Sequence, residues 1–228
     1  MILANRKLLT RNQAVFYRVL RDAALEDGVH RSVVIGVGET GTGKTYVASR
    51  VGMELLMEKK FDKIVLLTGD VNHQKEKENV PVCDCILEYT SHLHLTHLLK
   101  EKTIEVASFS CLRGRTFSNA FILVDDAQNT TQEQMKTLLT RIGSGSQLVI
   151  TGDLSNKSEG EKEERKEKKN GLANLLKRLA LTFEESDESS FSIVHFTDED
   201  IMRSELTRKI IKFYQQTDDL MTDAGRYL

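Results

Sequence analysis

The chain has 228 residues, 39% of them apolar and about 45% once its 14 glycines are counted, which is enough to bury a sizeable core. Thirty-two basic against 34 acidic residues leave a net charge of −2. A basic nucleic-acid coat, whole-chain disorder, collagen-like repetition and, with one proline, a proline-rich tail are thereby excluded. No apolar run approaches the ~20 residues that cross a bilayer, so no membrane partner is expected. The opening MILANRKLLTRNQ lacks a secretory core, and three cysteines (Cys83, Cys85, Cys111) imply no disulfide framework, so a cytoplasmic protein is expected.

In chain order, Val15, Val19, Leu20 and Ala23 recur at helical spacing and predict an opening helix. The run 32–37 (SVVIGV) is too short for a buried helix and reads as a buried parallel strand. From Gly43 onward Val47, Val51, Leu55 and Leu56 share a helical face, stopped by Glu58-Lys59-Lys60. Residues 63–67 predict a second strand, and 85–99 read as one helix through Ile86, Leu93 and Leu98. Residues 121–124 and 147–150 are two more strands, separated by a helix over about 131–141 with Thr130 or Thr131 as its cap. A strand at 191–196 and a helix over about 200–216 complete the alternation, which predicts an α/β domain with a mostly parallel sheet flanked by helices. One domain over 1–228 is expected. Residues 157–170 hold six bases, five acids and no large apolar side chain, so they read as a solvated loop or an exposed helix; 184–190 is a second polar loop.

Gly38-Glu39-Thr40-Gly41-Thr42-Gly43-Lys44-Thr45 fits G-x-x-x-x-G-K-[ST] at every constrained position and lies between a predicted strand and a predicted helix. The glycines let successive N–H groups point inward at phosphate oxygens, and the helix that follows adds its positive end. Lys44 can reach β- and γ-phosphates, Thr45 can ligate Mg²⁺, and Tyr46 completes the candidate nucleotide-binding stretch. A Mg²⁺–nucleotide site also needs a carboxylate at a neighbouring strand end. Phe121-Ile122-Leu123-Val124-Asp125-Asp126 supplies it, with Asp125 for the metal and Asp126 to orient and deprotonate the attacking water. Another apolar strand runs into Thr151-Gly152-Asp153, where Thr151 or Asp153 can sense the γ-phosphate.

The stretches GETGTGKT, RGRTFSNAFILVDDAQNTTQEQMKTLLTRIG and LVITGDLSN resemble the PhoH-like family of P-loop ATPases of bacteria and bacteriophages, over about residues 12–213. The resemblance implies a P-loop NTPase core like the RecA-like first motor domain of superfamily-one helicases. It also implies ATP and Mg²⁺ as cofactors, a ring-shaped oligomer, and for some longer relatives action on RNA. A phage source would place the protein in the host cytoplasm. By the same resemblance Gln13 takes the place of a glutamine that reads the adenine edge, and Arg203 that of an arginine before the last helix. Three departures stand out. The family usually carries aspartate–glutamate where this chain has Asp125-Asp126, and Gly69-Asp70-Val71-Asn72-His73 replaces a basic, proline-bearing stretch. The charged run 157–169 is longer than the family's usual connection and looks like an insertion.

Arg203 and then Arg115 lead the candidates for an arginine that stabilises charge on the γ-phosphate, ahead of Arg113 and Arg141. Cys83-x-Cys85 and His92-x-His94-x-x-His97 match no standard zinc spacing. The leading expectation is a Mg²⁺-dependent ATPase acting with RNA or single-stranded nucleic acid, assembled as a homo-oligomer, a hexamer first. A small-molecule phosphotransferase and a nucleotide-dependent assembly module with little turnover are the alternatives.

Overall fold

The computed structural model describes residues 9–25, 33–68, 81–154, 170–182, 190–201 and 213. Six strands form one sheet: β1 (Val33–Val37), β2 (Lys63–Thr68), β3 (Ile104–Ser108), β4 (Ala120–Val124), β5 (Gln147–Gly152) and β6 (Phe191–His195). They lie in the order β3-β2-β4-β5-β1-β6, and every neighbouring pair is parallel. Strands β1, β4 and β5 are buried along their whole length, as strands covered on both faces must be.

Side chains alternate between two apolar layers because the strand period is two. Val34, Ile64, Leu66, Phe121, Leu123 and Val149 face one layer, against α1 (Arg11–Leu25), α2 (Lys44–Met57), α3 (Pro81–Leu87) and α4 (His92–Lys100). Ile35, Val65, Leu67, Ile122, Leu148 and Ile150 face the other, against α5 (Gln132–Leu139) and α6 (Gly171–Thr182). Tyr17 on α1 donates to Glu54 Oε2 (2.5 Å), and Arg50 Nε holds the other oxygen (2.9 Å), fastening α1 to α2.

Several expectations are corrected. The buried face of α1 is Phe16, Leu20, Ala23 and Ala24, with Val15 exposed, because Phe16 rather than Val15 points at the sheet. The stretch 85–99 is two helices, not one. Ser91 starts the second by accepting from His94 N–H (3.2 Å), which turns Leu93 to solvent (83% exposed) and Leu95 inward. Strand β3 escaped the sequence reading: it is short, lies at a sheet edge and carries Glu105 and Ser108 among its apolar residues. Helix α6 escaped too, although Leu172, Leu175, Leu176 and Leu179 keep helical spacing; its cap is Asn170, whose Oδ1 accepts from Ala173 N–H (2.9 Å). Between the two cap candidates for α5, Thr131 forms a full capping box with Gln134, while buried Thr130 donates to Ala127 O (2.6 Å). The helix expected over 200–216 lies outside the described residues except at its first two positions and at 213, as does the charged insertion but for Asn170.

Phe121 is the hinge of the first layer: fully buried, edge-on to Phe61 at 5.8 Å and packed where a side chain at Gly52 would collide with its ring. Phe121→Ala is expected to cost about 3–5 kcal/mol in urea unfolding. A loss below about 1 kcal/mol would mean the ring is not packed as described.

Candidate functional site

The carboxyl ends of β1, β4 and β5 carry all the polar groups that converge. Strand β5 stands between β1, which feeds the glycine-rich loop, and β4, which ends in the two aspartates. Val37 pairs with Gly152, and Val124 pairs with Ile150, so the loop, Thr151 and Asp125 meet at one sheet edge. Gly38 N–H also donates to Gly152 O (3.2 Å), tying the loop to β5 where it leaves the sheet.

Within the loop Lys44 is buried (7% exposed), and its ammonium donates to Gly38 O (2.7 Å), Glu39 O (2.7 Å) and Thr42 Oγ1 (3.2 Å). Burial lowers its pKa, opposed by the carboxylates of Asp153, Asp125, Asp126 and Glu39. Thr42 donates its own hydroxyl to Glu39 O (2.8 Å), so the loop is closed by its side chains as well as its backbone. Gly41 and Gly43 take φ of 93° and 83°, the left-handed region that costs glycine nothing. Thr40 N–H and hydroxyl both reach Asp153 Oδ2 (3.0 and 3.3 Å), which anchors the loop's tip to the end of β5.

Asp125 is the meeting point. Thr45 Oγ1, in the first turn of α2, donates to its Oδ1 (2.7 Å), and Thr151 Oγ1 donates to the same oxygen (2.6 Å). Burial raises the Asp125 pKa; the two threonine bonds pull against that, and Asp126 adds to it. Asp126 is exposed and sits at φ 51°, ψ 44°, a left-handed conformation that aspartate tolerates better than most residues. That turn takes the chain off the strand into a single 3₁₀ turn (Ala127–Asn129) and points Asp126 away from the core.

Gln128 was not singled out from the sequence, yet it bridges the two acidic strand ends. Its Nε2 donates to Asp126 Oδ1 (3.1 Å), and its Oε1 accepts from Asp153 N–H (3.0 Å). Gly152 makes room for it, since a Cβ there would sit 2.9 Å from Gln128 Oε1 and 2.5 Å from Leu172. The only sequence signal was its place in the stretch Asp125-Asp126-Ala127-Gln128.

Of the other candidates, Gln13 and Tyr46 adjoin the loop, whereas Arg113, Arg115 and Arg141 fall elsewhere. Gln13 is buried against the loop and bonded to Thr42 O (2.9 Å). Tyr46 is half-buried on α2, its ring 6.3 Å from that of Tyr89. Arg115 lies over Phe117 (4.7 Å) and pairs with Glu105 (2.6 Å). Glu105 aligns through Val65 with Ile122, roughly 10 Å short of Asp125 along the sheet, so Arg115 is not brought to the loop of its own chain. Arg141 also lies toward the amino edge, its carbonyl bonded to Phe117 N–H (2.9 Å), and Arg113 is exposed. Arg203 lies outside the described residues. No helix among the described residues is long and apolar enough to cross a membrane.

Because the fold raises the Asp125 pKa, the ionised carboxylate costs stability at any pH above the ordinary carboxylate range. Asp125→Asn is therefore expected to raise the thermal midpoint of the ligand-free protein at pH 7. Each recovered kcal/mol is read as about 2–4 °C, and the gain should shrink as the pH falls into that range. A midpoint lowered at every pH would contradict the assignment of burial as the dominant cause.

The sequence profile of the PhoH-like protein family matches residues 7–215. A PhoH-like protein of Bacillus subtilis is 32% identical over 200 residues, covering 81% of this chain and 58% of that one. Protein PhoH of Escherichia coli K12 is 29% identical over 222 residues, covering 91% and 58%. The chain thus spans less than two thirds of the length of these curated relatives. Among solved structures, the Sulfolobus solfataricus SWI2/SNF2 ATPase core in complex with dsDNA is similar at a TM-score of 0.46 and 14% identity, covering 89% of this chain and 48% of that one. The Pif1 helicase of Candida albicans is similar at 0.40 and 14%, covering 83% and 40%. The family profile, the relatives and the glycine-rich loop facing an acidic strand end agree: the chain belongs to the PhoH-like family.

Proposed function

We propose that this chain binds ATP with Mg²⁺ in the loop 38–45 and hydrolyses it, coupling turnover to RNA or another single-stranded nucleic acid. The observation that carries the reading is the convergence of Thr45 and Thr151 on one oxygen of Asp125, beside a loop whose lysine is buried among backbone carbonyls. Such a set of hard oxygen donors fits Mg²⁺, with Thr45 Oγ1 and Asp125 as the groups that would hold it. When bound, the ion neutralises charge on the β- and γ-phosphate oxygens.

Lys44 exchanges its three contacts inside the loop for phosphate oxygens, which are stronger acceptors because they are charged. Asp126 stands beyond the strand end with Oδ1 bonded to Gln128; its Oδ2 orients a water and takes its proton as the water attacks the γ-phosphorus and the bond to the bridging oxygen of ADP breaks. Thr151, bonded to Asp125, registers the change when the phosphate leaves. An acid at the position next to the metal carboxylate favours an activated water over a bound acceptor, which sets hydrolysis ahead of transfer to a small molecule.

A cation on the far side of the γ-phosphate completes the site. Arg203, or Arg115 after release from Glu105, supplies it to a neighbouring subunit in a head-to-tail ring, a hexamer in the first instance. Mixing Asp126→Ala with Arg203→Ala protein then restores part of the activity, because some sites pair an intact base with an intact arginine. Hydrolysis by a monomer at all concentrations would sink the ring.

Lys44→Ala is expected to abolish ATP binding while the circular dichroism spectrum stays native; unchanged affinity in the folded variant removes the central assignment. Asp126→Ala should bind ATP and lose hydrolysis by ~100-fold or more, whereas Asp126→Glu keeps or raises it. Parental turnover in Asp126→Ala would place the base elsewhere.

A further inference from the structure

Gln13 is 3% exposed, and its amide is committed within the protein. Its Oε1 accepts from Thr10 N–H (3.2 Å) while Thr10 Oγ1 accepts from Gln13 N–H (3.4 Å), the reciprocal pair of a capping box at the start of α1. Its Nε2 donates on the opposite side, to Thr42 O in the glycine-rich loop (2.9 Å) and to Asp200 O (3.3 Å). Nε2 thus already serves two acceptors, and a bond from it to a purine ring nitrogen would have to replace one of them.

Asp200 fixes the other end. It is 1% exposed and follows β6 in a single 3₁₀ turn (Asp198–Asp200). Its carboxylate accepts from Thr10 Oγ1, from Asn12 Nδ2 (2.8 Å) and from Thr197 N–H (2.8 Å). The first turn of α1 is thereby fastened to the turn after β6, and Gln13 projects from that joint onto the loop. Burial alone would raise the Asp200 pKa, but the bonds from Thr10, Thr197 and Asn12 hold it below the ordinary value, so the joint is ionised and intact at neutral pH.

The consequence for the loop follows from peptide geometry. In a planar trans peptide the carbonyl and the next N–H point in opposite directions. Holding the Thr42 carbonyl toward Gln13 aims the Gly43 N–H away from it. Glycine at 43, at φ 83°, also leaves Gln13 its place, since a Cβ there would lie 2.6 Å from Gln13 Nε2 and push it off Thr42 O. Gln13 thus sets the orientation of one of the backbone donors that a phosphate meets.

We propose that Gln13, secured by Asp200, is a positioning residue for the phosphate loop and does not read the nucleotide base. This rests on the reading of 38–45 as a phosphate cradle and adds that the strut serves every ligand with a triphosphate equally. Gln13→Glu is the informative variant: it keeps the capping-box acceptor of α1 and removes the donor to Thr42. Dissociation constants for ATP, GTP and inorganic tripolyphosphate, each with Mg²⁺, are measured by calorimetry on parent and variant. The expected result is a loss of about five- to tenfold for all three ligands, with the ATP-to-GTP ratio unchanged. Asp200→Asn, a second variant for the case in which Gln13→Glu fails to fold, is expected to weaken all three in the same proportion. A loss confined to ATP, or no loss for tripolyphosphate, overturns the proposal in favour of base reading. Failure of the parent protein to bind any of the three overturns the cradle reading itself, a separate outcome.

Discussion

One carboxylate oxygen organises the site. Asp125, just beyond the end of β4, accepts at Oδ1 hydroxyl bonds from Thr45 on α2 and Thr151 on β5. The arrangement is a product of register. Val124 opposite Ile150 and Val37 opposite Gly152 bring the end of β4, the end of β5 and the root of the loop to the same height. A slip of one residue in either pairing would turn Thr151 or Asp125 to the opposite face, together with every apolar side chain of that strand. The two apolar layers that pin the register are therefore also what places the chemistry.

The same region stores electrostatic cost. Lys44 and Asp125 are both largely withdrawn from water, and burial moves their pKa values in opposite senses, down for the ammonium and up for the carboxyl. A fold selected for stability alone would not bury a lysine among carbonyls and an aspartate between threonines. A nucleotide phosphate with its cation would add opposite charge beside both groups, which is the physical reason to read the edge as a binding site rather than a strand-end turn. Gln128 extends the system, coupling the exposed Asp126 to Asp153 and through it to Thr40 at the loop's tip.

What the sequence made legible is what local pattern determines. The loop motif, the apolar runs of β1, β2, β4 and β5 and the paired acids all sit on unbroken periodicities or fixed spacings. The edge strand β3 was hidden because an exposed edge tolerates Glu105, and α6 because a charged run masked its start. The break at Ser91 was hidden because Ile86 and Leu93 keep the spacing of a single helix while facing different surroundings. Long-range partners were beyond reach altogether. Nothing in Thr10, Gln13 and Asp200 as isolated residues announces that they meet, since 187 positions separate the last two. Arg115 shows the converse: the motif around it is informative, but its ion pair with Glu105 on a strand that was not foreseen decides where it points.

Steady-state release of inorganic phosphate from ATP by the purified chain, as Mg²⁺ is titrated from a chelated start, reads the convergence of Thr45 and Thr151 on Asp125 directly. No release is expected under chelation, and a saturable rise as Mg²⁺ is added, lost in Thr45→Ala. Release that is independent of Mg²⁺, or none at any Mg²⁺ concentration from folded protein with ATP bound, would contradict Mg²⁺-dependent hydrolysis at that site.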